Sequence, residues 1–361
     1  SNEFHGHAGL YWALDGANAG PRPTLRLNPL NDNVGDYFHN SRDGYRMLNP
    51  TFSLAGPVIK DRLWFFSGYD PQRFKYNRTV TFLRNNQTSE FESRVYRDYI
   101  TGKLDAAPTD RLRLYGGYLY TPTKERGRLP SRQGTDSPTA PWSQLGERAP
   151  SYSITFGGDY NATSKLLFSV RGGYNWRNIT NYGTPATPYI AYLASSLAIP
   201  GVPDRYRAPS GAFTANNRTW IFDVQDRFRT NADVSYIFNA AGQHSFKAGW
   251  EINRLHNSPN GNTWPYGYFR VGWNQTYRAI TKAPQTLRGQ YGYIMYRYYA
   301  VTGDASSSNQ SLFFQDTWRP TKKLSLNLGL RTEREYLPAF RLPEGVTGNP
   351  IEFGFGEKLA P

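Results

Sequence analysis

The chain has 361 residues, a formal charge of +14, 34 glycines, 25 prolines, 27 tyrosines and no cysteine. Without cysteine, a disulfide-stapled scaffold, thiolate metal sites and a cysteine nucleophile are excluded. Mean hydropathy is −0.67, and no run of about 20 apolar residues exists, which excludes a helical membrane span but not a barrel, where only every second residue meets lipid. The basic charge is dispersed, with no Lys/Arg block or nucleic-acid motif, so the pattern does not point to DNA or RNA.

Paired alternating segments joined by very short polar turns recur along the chain. Asn49–Ile59 and Leu63–Leu83 are joined at Lys60-Asp61. Val95–Leu104 and Arg111–Tyr120 flank a turn predicted at Ala107-Pro108-Thr109-Asp110. Ser151–Tyr160 places Tyr152, Ile154, Phe156, Gly158 and Tyr160 on one face; after Asn161-Ala162-Thr163-Ser164, Lys165–Arg177 does the same with Leu166, Phe168, Val170, Gly172, Tyr174 and Trp176. Asp223–Phe238 returns through His244–Arg254 after Ala240-Ala241-Gly242-Gln243. Ser311–Trp318 turns at Arg319-Pro320-Thr321-Lys322 into a strand with Leu324, Leu326, Leu328 and Leu330 on one face. Period two is the signature of a strand with two unlike faces.

Between the hairpins lie long connections, roughly Asp15–Leu48, Thr121–Ala149, Thr180–Thr219 and Asn257–Ser308. Loops this long are uncommon in a compact soluble domain. Short turns at one end and long loops at the other predict an all-β, transmembrane, antiparallel up-and-down barrel with short periplasmic turns and long extracellular loops. About 11 to 13 strands are expected from this spacing. Aromatics fit two interfacial belts: Trp64, Phe65, Tyr160, Phe238 and Trp318 near the short turns, and Tyr118, Tyr120, Tyr174 and Trp176 near the other ends. Tyr189–Pro200 predicts a short helix inside a loop, too short to span a bilayer.

The polar strand face predicts a lumen lining of Lys165, Arg171, Asn175, Arg177, Lys247, Glu251, Asn253, Asn327 and Arg331. Contact with a plug, solvation and binding of an anionic solute are the roles open to these residues. Tyr266–Arg270 and Tyr291–Tyr299 suit stacking on sugars or lipopolysaccharide, and equally packing on one another. No catalytic constellation, phosphate loop or HExxH motif occurs. His5 and His7 share a strand face without a third ligand, so a structural role is expected. The expectation is a non-enzyme with neither metal nor cofactor.

Three segments resemble Oar-like TonB-dependent receptors. Ser1-Asn2-Glu3-Phe4-His5-Gly6 resembles the segment that opens their barrel after the plug. Leu54-Ala55-Gly56-Pro57-Val58-Ile59-Lys60-Asp61-Arg62-Leu63-Trp64-Phe65-Phe66 is similar to their GGPIIKDKLFFF hairpin, with Ala55-Gly56 in place of the double glycine. Phe314–Arg331 resembles a later barrel hairpin. The resemblance implies a bacterial outer-membrane receptor with a plug, a barrel of roughly 22 strands and uptake of a large solute such as a saccharide or chelate, driven through TonB. Implied partners are outer-membrane lipid and lipopolysaccharide, the plug and the TonB system. Residues 1–361 then read as one transmembrane barrel domain, partial because an open wall leaves strand edges in lipid; completion by other chains is the alternative. A non-transporting barrel scaffold or anchor in a surface assembly is the competing function.

Overall fold

The computed structural model describes residues 2–15, 19–279, 285–297 and 300–337. Ser1 of the opening motif, Tyr298 and Tyr299 of the loop aromatics, and Ala360-Pro361 lie outside them. Eleven antiparallel strands follow one another in chain order, each hydrogen-bonded to the next. They are β1 His5–Leu14, β2 Gly44–Ile59, β3 Leu63–Thr81, β4 Thr88–Thr109, β5 Leu112–Thr121, β6 Ser151–Thr163, β7 Leu166–Asn178, β8 Thr219–Asn239, β9 Gln243–Thr263, β10 Ala305–Thr321 and β11 Leu324–Tyr336. Four short strands extend this sheet at one end: Thr123–Arg126, Gly146–Arg148, Thr180–Tyr182 and Val301–Thr302.

One rim carries only tight turns, at residues 60–62, 110–111, 164–165, 240–242 and 322–323. The other carries the connections 15–43, 82–87, 122–150, 179–218 and 264–304. The asymmetry expected from sequence is therefore present. The strands are longer than expected: β4 runs 22 residues, about twice the 9–11 that cross a bilayer. The extra length lies at the long-loop rim, so the sheet continues past any membrane it crosses.

The turn prolines are placed differently from the sequence expectation. Pro108 and Pro320 are the penultimate residues of β4 and β10, not turn residues. Both lie where the register shifts, between Ala106 and Thr109 and between Trp318 and Thr321. A bulge leaves a residue outside the ladder, so the missing N–H costs no hydrogen bond there.

The sheet has two unlike faces and buries neither as a conventional core. Leu104, Gly116, Phe156, Gly172 and Thr230 form one row across β4 to β8. Within it Leu104 is 53% and Phe156 42% exposed, and on β11 Leu330 reaches 71%. A solvated sheet turns such side chains inward against a second layer. Here the fully buried large side chains, among them Phe82, Val80, Val202 and Asn217, sit at the long-loop end instead.

Tyr189–Pro200 does not form the expected helix. Tyr189–Tyr192 is a strand, paired in parallel with Tyr268–Val271, and Leu193 N–H continues the ladder to Val271 O at 2.9 Å. A run of four residues gains more from an existing sheet edge than from a helix nucleus that must pay its own ordering entropy.

Candidate functional site: a polar wall face beneath an aromatic loop cluster

Register places Arg171, Asn175, Arg177, Lys247, Glu251, Asn253, Asn327 and Arg331 on the face opposite Phe156. Lys165 is not among them. It occupies the Ser164-Lys165 turn, where its N–H donates to Thr163 Oγ1 at 3.1 Å. The strand runs through the bulge at Asn161–Thr163, so the turn occupies residues 164–165 and not the 161–164 that the sequence pattern indicated.

Most of this face is bound to itself. Lys247 Nζ lies 3.1 Å from Asp233 Oδ1, and Arg229 Nη2 lies 2.9 Å from Glu251 Oε1. Arg227 Nε donates to Asn253 Oδ1 at 2.8 Å, and Arg171 Nη2 to Asp159 Oδ1 at 3.3 Å. Ser153 donates to Asn175 at 2.6 Å, Thr317 to Asn327 at 2.9 Å and Arg331 to Glu333 at 2.5 Å. Alternating signs in a wet surface attract water and solute without holding one ion tightly. The acidic and basic partners Asp159, Asp233, Arg227 and Arg229 were not singled out by sequence. They stand on neighbouring strands, and only register brings them across.

Of the expected belt aromatics, Phe65, Tyr118, Tyr160, Tyr174, Trp176, Phe238 and Trp318 share the apolar face, as does Tyr120. Trp64 does not. Consecutive strand residues point oppositely, so Trp64 stands across the sheet from Phe65, with its indole N–H donating to Asn2 Oδ1 at 3.2 Å. At the short-turn rim His244 stacks between Phe238 and Trp318, at 4.9 and 5.5 Å, and its Nδ1 lies 2.6 Å from Asp316 Oδ2.

The long loops form a structure of their own. Gly211–Ala212, Tyr189–Tyr192, Tyr268–Trp273 and Gly292–Arg297 make a four-stranded sheet drawn from two loops. Tyr192 stacks on Phe213 at 4.7 Å and meets Trp273 edge-on at 5.3 Å. Tyr189 stacks on Tyr268 at 5.0 Å, and Trp264 covers Tyr268 at 4.8 Å. Burial pushes the Tyr189 and Tyr192 hydroxyls up to about 12, so both stay neutral donors. Between Tyr192, Phe213, Trp273, Tyr291 and Tyr293 lies an open hollow of about 420 Å3.

Other loops clamp this cluster. Arg84 lies 4.0 Å over the Phe213 ring. Asp32 accepts from Ser195 N–H at 2.9 Å and from Ser210 Oγ at 3.4 Å. Asp43 takes bidentate hydrogen bonds from Arg78 (2.8 and 2.6 Å) and from Arg132 (3.3 and 2.7 Å). Gly183 turns the chain back toward Gly146–Arg148 with φ +74°, and a Cβ there would overlap the Gln144 carbonyl oxygen. Gly183→Ala is expected to cost about 1–2 kcal/mol from the left-handed backbone alone. Faster proteolysis within 122–150, at unchanged barrel content by circular dichroism, is the expected readout.

Among the described residues no group of three His, Asp or Glu could hold a metal ion. The arrangement offers a charged, hydrogen-bonded strand face and an aromatic, hydrogen-bonding loop cluster, which is chemistry suited to binding.

The comparisons with known proteins agree with this fold. The TonB-dependent transporter Oar of Myxococcus xanthus is 24% identical over 93% of the chain, which covers 37% of that protein. The outer membrane transporter YddB of Escherichia coli shares the fold with a TM-score of 0.53 at 12% identity, over 84% of this chain and 35% of that one. The chain thus spans little more than a third of the length of either. The outer membrane beta barrel domain family matches residues 77–341, more than half of the sequence. The chain belongs to that family, a β-barrel wall of the bacterial outer membrane.

Proposed function

We propose that this wall belongs to a transporter that takes up a large solute. In this reading the apolar face meets lipid, the interlocked polar face lines the lumen, and the loop cluster captures the solute first. The carrying observation is the division of labour between the rims. Five turns close one rim with two or three residues each, while the loops of the other build an aromatic sheet with its own hollow. A simple anchor has no need of a hollow mouth over a charged wall.

The likeness to the TonB-dependent transporter Oar adds the energy source: a plug domain and the TonB system as partners in the whole protein. The eleven-stranded wall forms part of the barrel in that assembly. The hollow's stacked rings with polar tips favour a ligand presenting flat, weakly polar faces, such as a saccharide.

Depletion of solutes from the medium tests this in cells with and without the gene, each with TonB present or absent. One solute class is expected to be removed only when both are present. Identical depletion in all four strains, or altered envelope integrity with no solute difference, supports the scaffold function and ends the uptake reading.

A further inference from the structure

The four-stranded loop sheet has two edges, and the chain treats them differently. At one edge Gly211–Ala212 is two residues long, and Ala212 N–H donates to Thr135 O at 2.8 Å, so the 122–150 loop covers it. At the other edge Gly292–Arg297 is six residues long, and Tyr268–Trp273 is the only strand it pairs with among the described residues. Gly292 turns its N–H and C=O away from that strand and toward Gly289, at 3.3 and 2.7 Å. Alternation along an antiparallel ladder then aims the N–H and C=O of Ile294 and Tyr296 to the same outer side. No backbone hydrogen bond reaches these groups among the described residues.

Exposed edges are ordinarily shielded by shortness, proline or charge, because their unpaired backbone groups template another chain. Tyr293–Tyr296 carries neither proline nor charge. Its outward-facing residues are also apolar and open, Ile294 being 67% and Tyr296 57% exposed. Register sets them on one face with Val271 and Phe269, and Ile294 lines the hollow itself. A chain laid along this edge meets a donor and an acceptor about every 6.8 Å, the repeat of two strand residues. A polypeptide backbone offers that repeat in return. In an antiparallel pairing, the residues that exchange hydrogen bonds with Ile294 and Tyr296 also point their side chains to the hollow's face.

Charge narrows the kind of segment that fits. The connections 179–218 and 264–304 carry seven arginines and one lysine against two aspartates, with no glutamate. Tyr277 meets Tyr293 at 5.4 Å and so brings the hairpin of Tyr277–Ala279 and Gln285–Leu287 beside the edge strand. That hairpin carries exposed Arg278, and Arg288 follows it. Arg288 donates to Asn274 O at 3.2 Å and to Asn274 Oδ1 at 2.6 Å, neutral acceptors that leave its charge uncompensated. We propose that the free edge of Gly292–Arg297 takes an extended acidic segment of another protein as an antiparallel fifth strand. The segment's alternate apolar side chains lie over the hollow between Tyr192, Phe213 and Trp273, and its acidic ones on the other face. This docking goes beyond uptake, since the edge holds the segment whether or not a solute then crosses the wall.

The test uses the full-length protein in detergent and a fluorescently labelled peptide that alternates valine with glutamate, read by anisotropy. Methylating the valine nitrogens removes the donors that face the edge and leaves every side chain in place. Binding to the wild type is expected to weaken at least about tenfold, for two main-chain hydrogen bonds lost. Methylating the glutamate nitrogens, which face solvent, leaves binding unchanged. In the protein, Ile294→Pro removes an outward N–H and no ladder bond, a place where an edge strand tolerates proline. It is expected to weaken binding about fivefold more than Ile294→Ala, which loses the side chain alone. Heat-modifiable gel mobility confirms that both variants are folded. Equal binding by the unmodified and the two methylated peptides overturns the proposal, as does an unmodified peptide that fails to bind. A lysine-for-glutamate peptide that binds as well overturns the acidic preference. A dimer of this chain that Ile294→Pro dissolves overturns it too, because the edge is then occupied by a second copy. Uptake is not read in any arm, so failure of the transport reading leaves this result unaffected.

Discussion

Arginine in place of Phe156 is expected to cost about 2–4 kcal/mol of membrane stability from the buried charge alone, enough to abolish assembly of a marginal barrel. The position follows from the aromatic spacing. Tyr152 and Tyr160 lie four residues to either side on the same face, each in a row with aromatics of the neighbouring strand. With this face proposed to meet lipid, Phe156 stands midway between the two aromatic rows, where depth-dependent costs are greatest. Its ring fills the space over Gly172, where a Cβ would collide with it, so the change also removes a cross-strand contact. The decisive comparison is with Thr155→Arg, one residue away. Thr155 stands on the polar face between Gly117 and Gly173. A long cation there has room and water, and a change below about 1 kcal/mol is expected. Urea titration in lipid vesicles, followed by heat-modifiable mobility, reads both. If the two arginines cost the same, or Phe156→Arg is tolerated, the assignment of faces to lipid and lumen is wrong.

That contrast depends on alternation, the part of the structure most legible in the sequence. Each hairpin carries its facing in a local pattern of period two, and a slip of one residue would invert every side chain. Five hairpins were therefore readable in outline, and so was the asymmetry of the rims. Exceptions arise where local pattern yields to something nonlocal. Lys165 belongs to a turn because a bulge at Asn161–Thr163 displaces it, and bulges have no strong sequence mark. Trp64 was grouped with Phe65 by nearness to a turn, although adjacent residues face oppositely. Tyr189–Tyr192 becomes a strand between Gly211–Ala212 and Tyr268–Val271, the latter some 80 positions later. A row of basic residues aligned across four strands is the clearest case of hidden information. Arg46, Lys75, Arg94 and Arg126 look scattered along the chain, and only the register of four strands aligns them.

Asp43 is the second residue whose replacement carries a large expected effect, this time confined to the loops. It lies just before β2, and its side chain is 14% exposed. Arg78 belongs to β3 and Arg132 to the 122–150 loop, so one carboxylate joins three segments. Arg78 also donates to Pro130 O at 2.7 Å. Burial by itself would raise the Asp43 pKa. The hydrogen bonds from Arg78 and Arg132, with their positive charges, outweigh it and hold the carboxyl below its ordinary value of 3.8. Asp43→Asn keeps the shape but leaves two guanidiniums facing each other without a counter-charge. Removing one partner of a fully buried pair costs about 3–5 kcal/mol; with Arg132 about a third exposed, about 2 kcal/mol of local stability is expected, discounted for solvent screening. The barrel's urea midpoint stays unchanged, because the contact lies outside the wall's apolar rows. Loops 15–43 and 122–150 become cleavable by protease or exchange their amides faster. The pH dependence has a defined sign. A depressed carboxylate pKa stabilises the folded loops fully above 3.8 and loses that contribution as pH falls through the folded value. Wild-type loops therefore stay protected above 3.8 and loosen progressively as pH falls below it, toward the lower folded value. In Asp43→Asn that acid step disappears, since the loops are already loosened at neutral pH. Equal protection of both proteins at pH 7 would show that the three segments are held by their other contacts, Leu83 N–H to Gly134 O among them, and that the arginine pair is incidental.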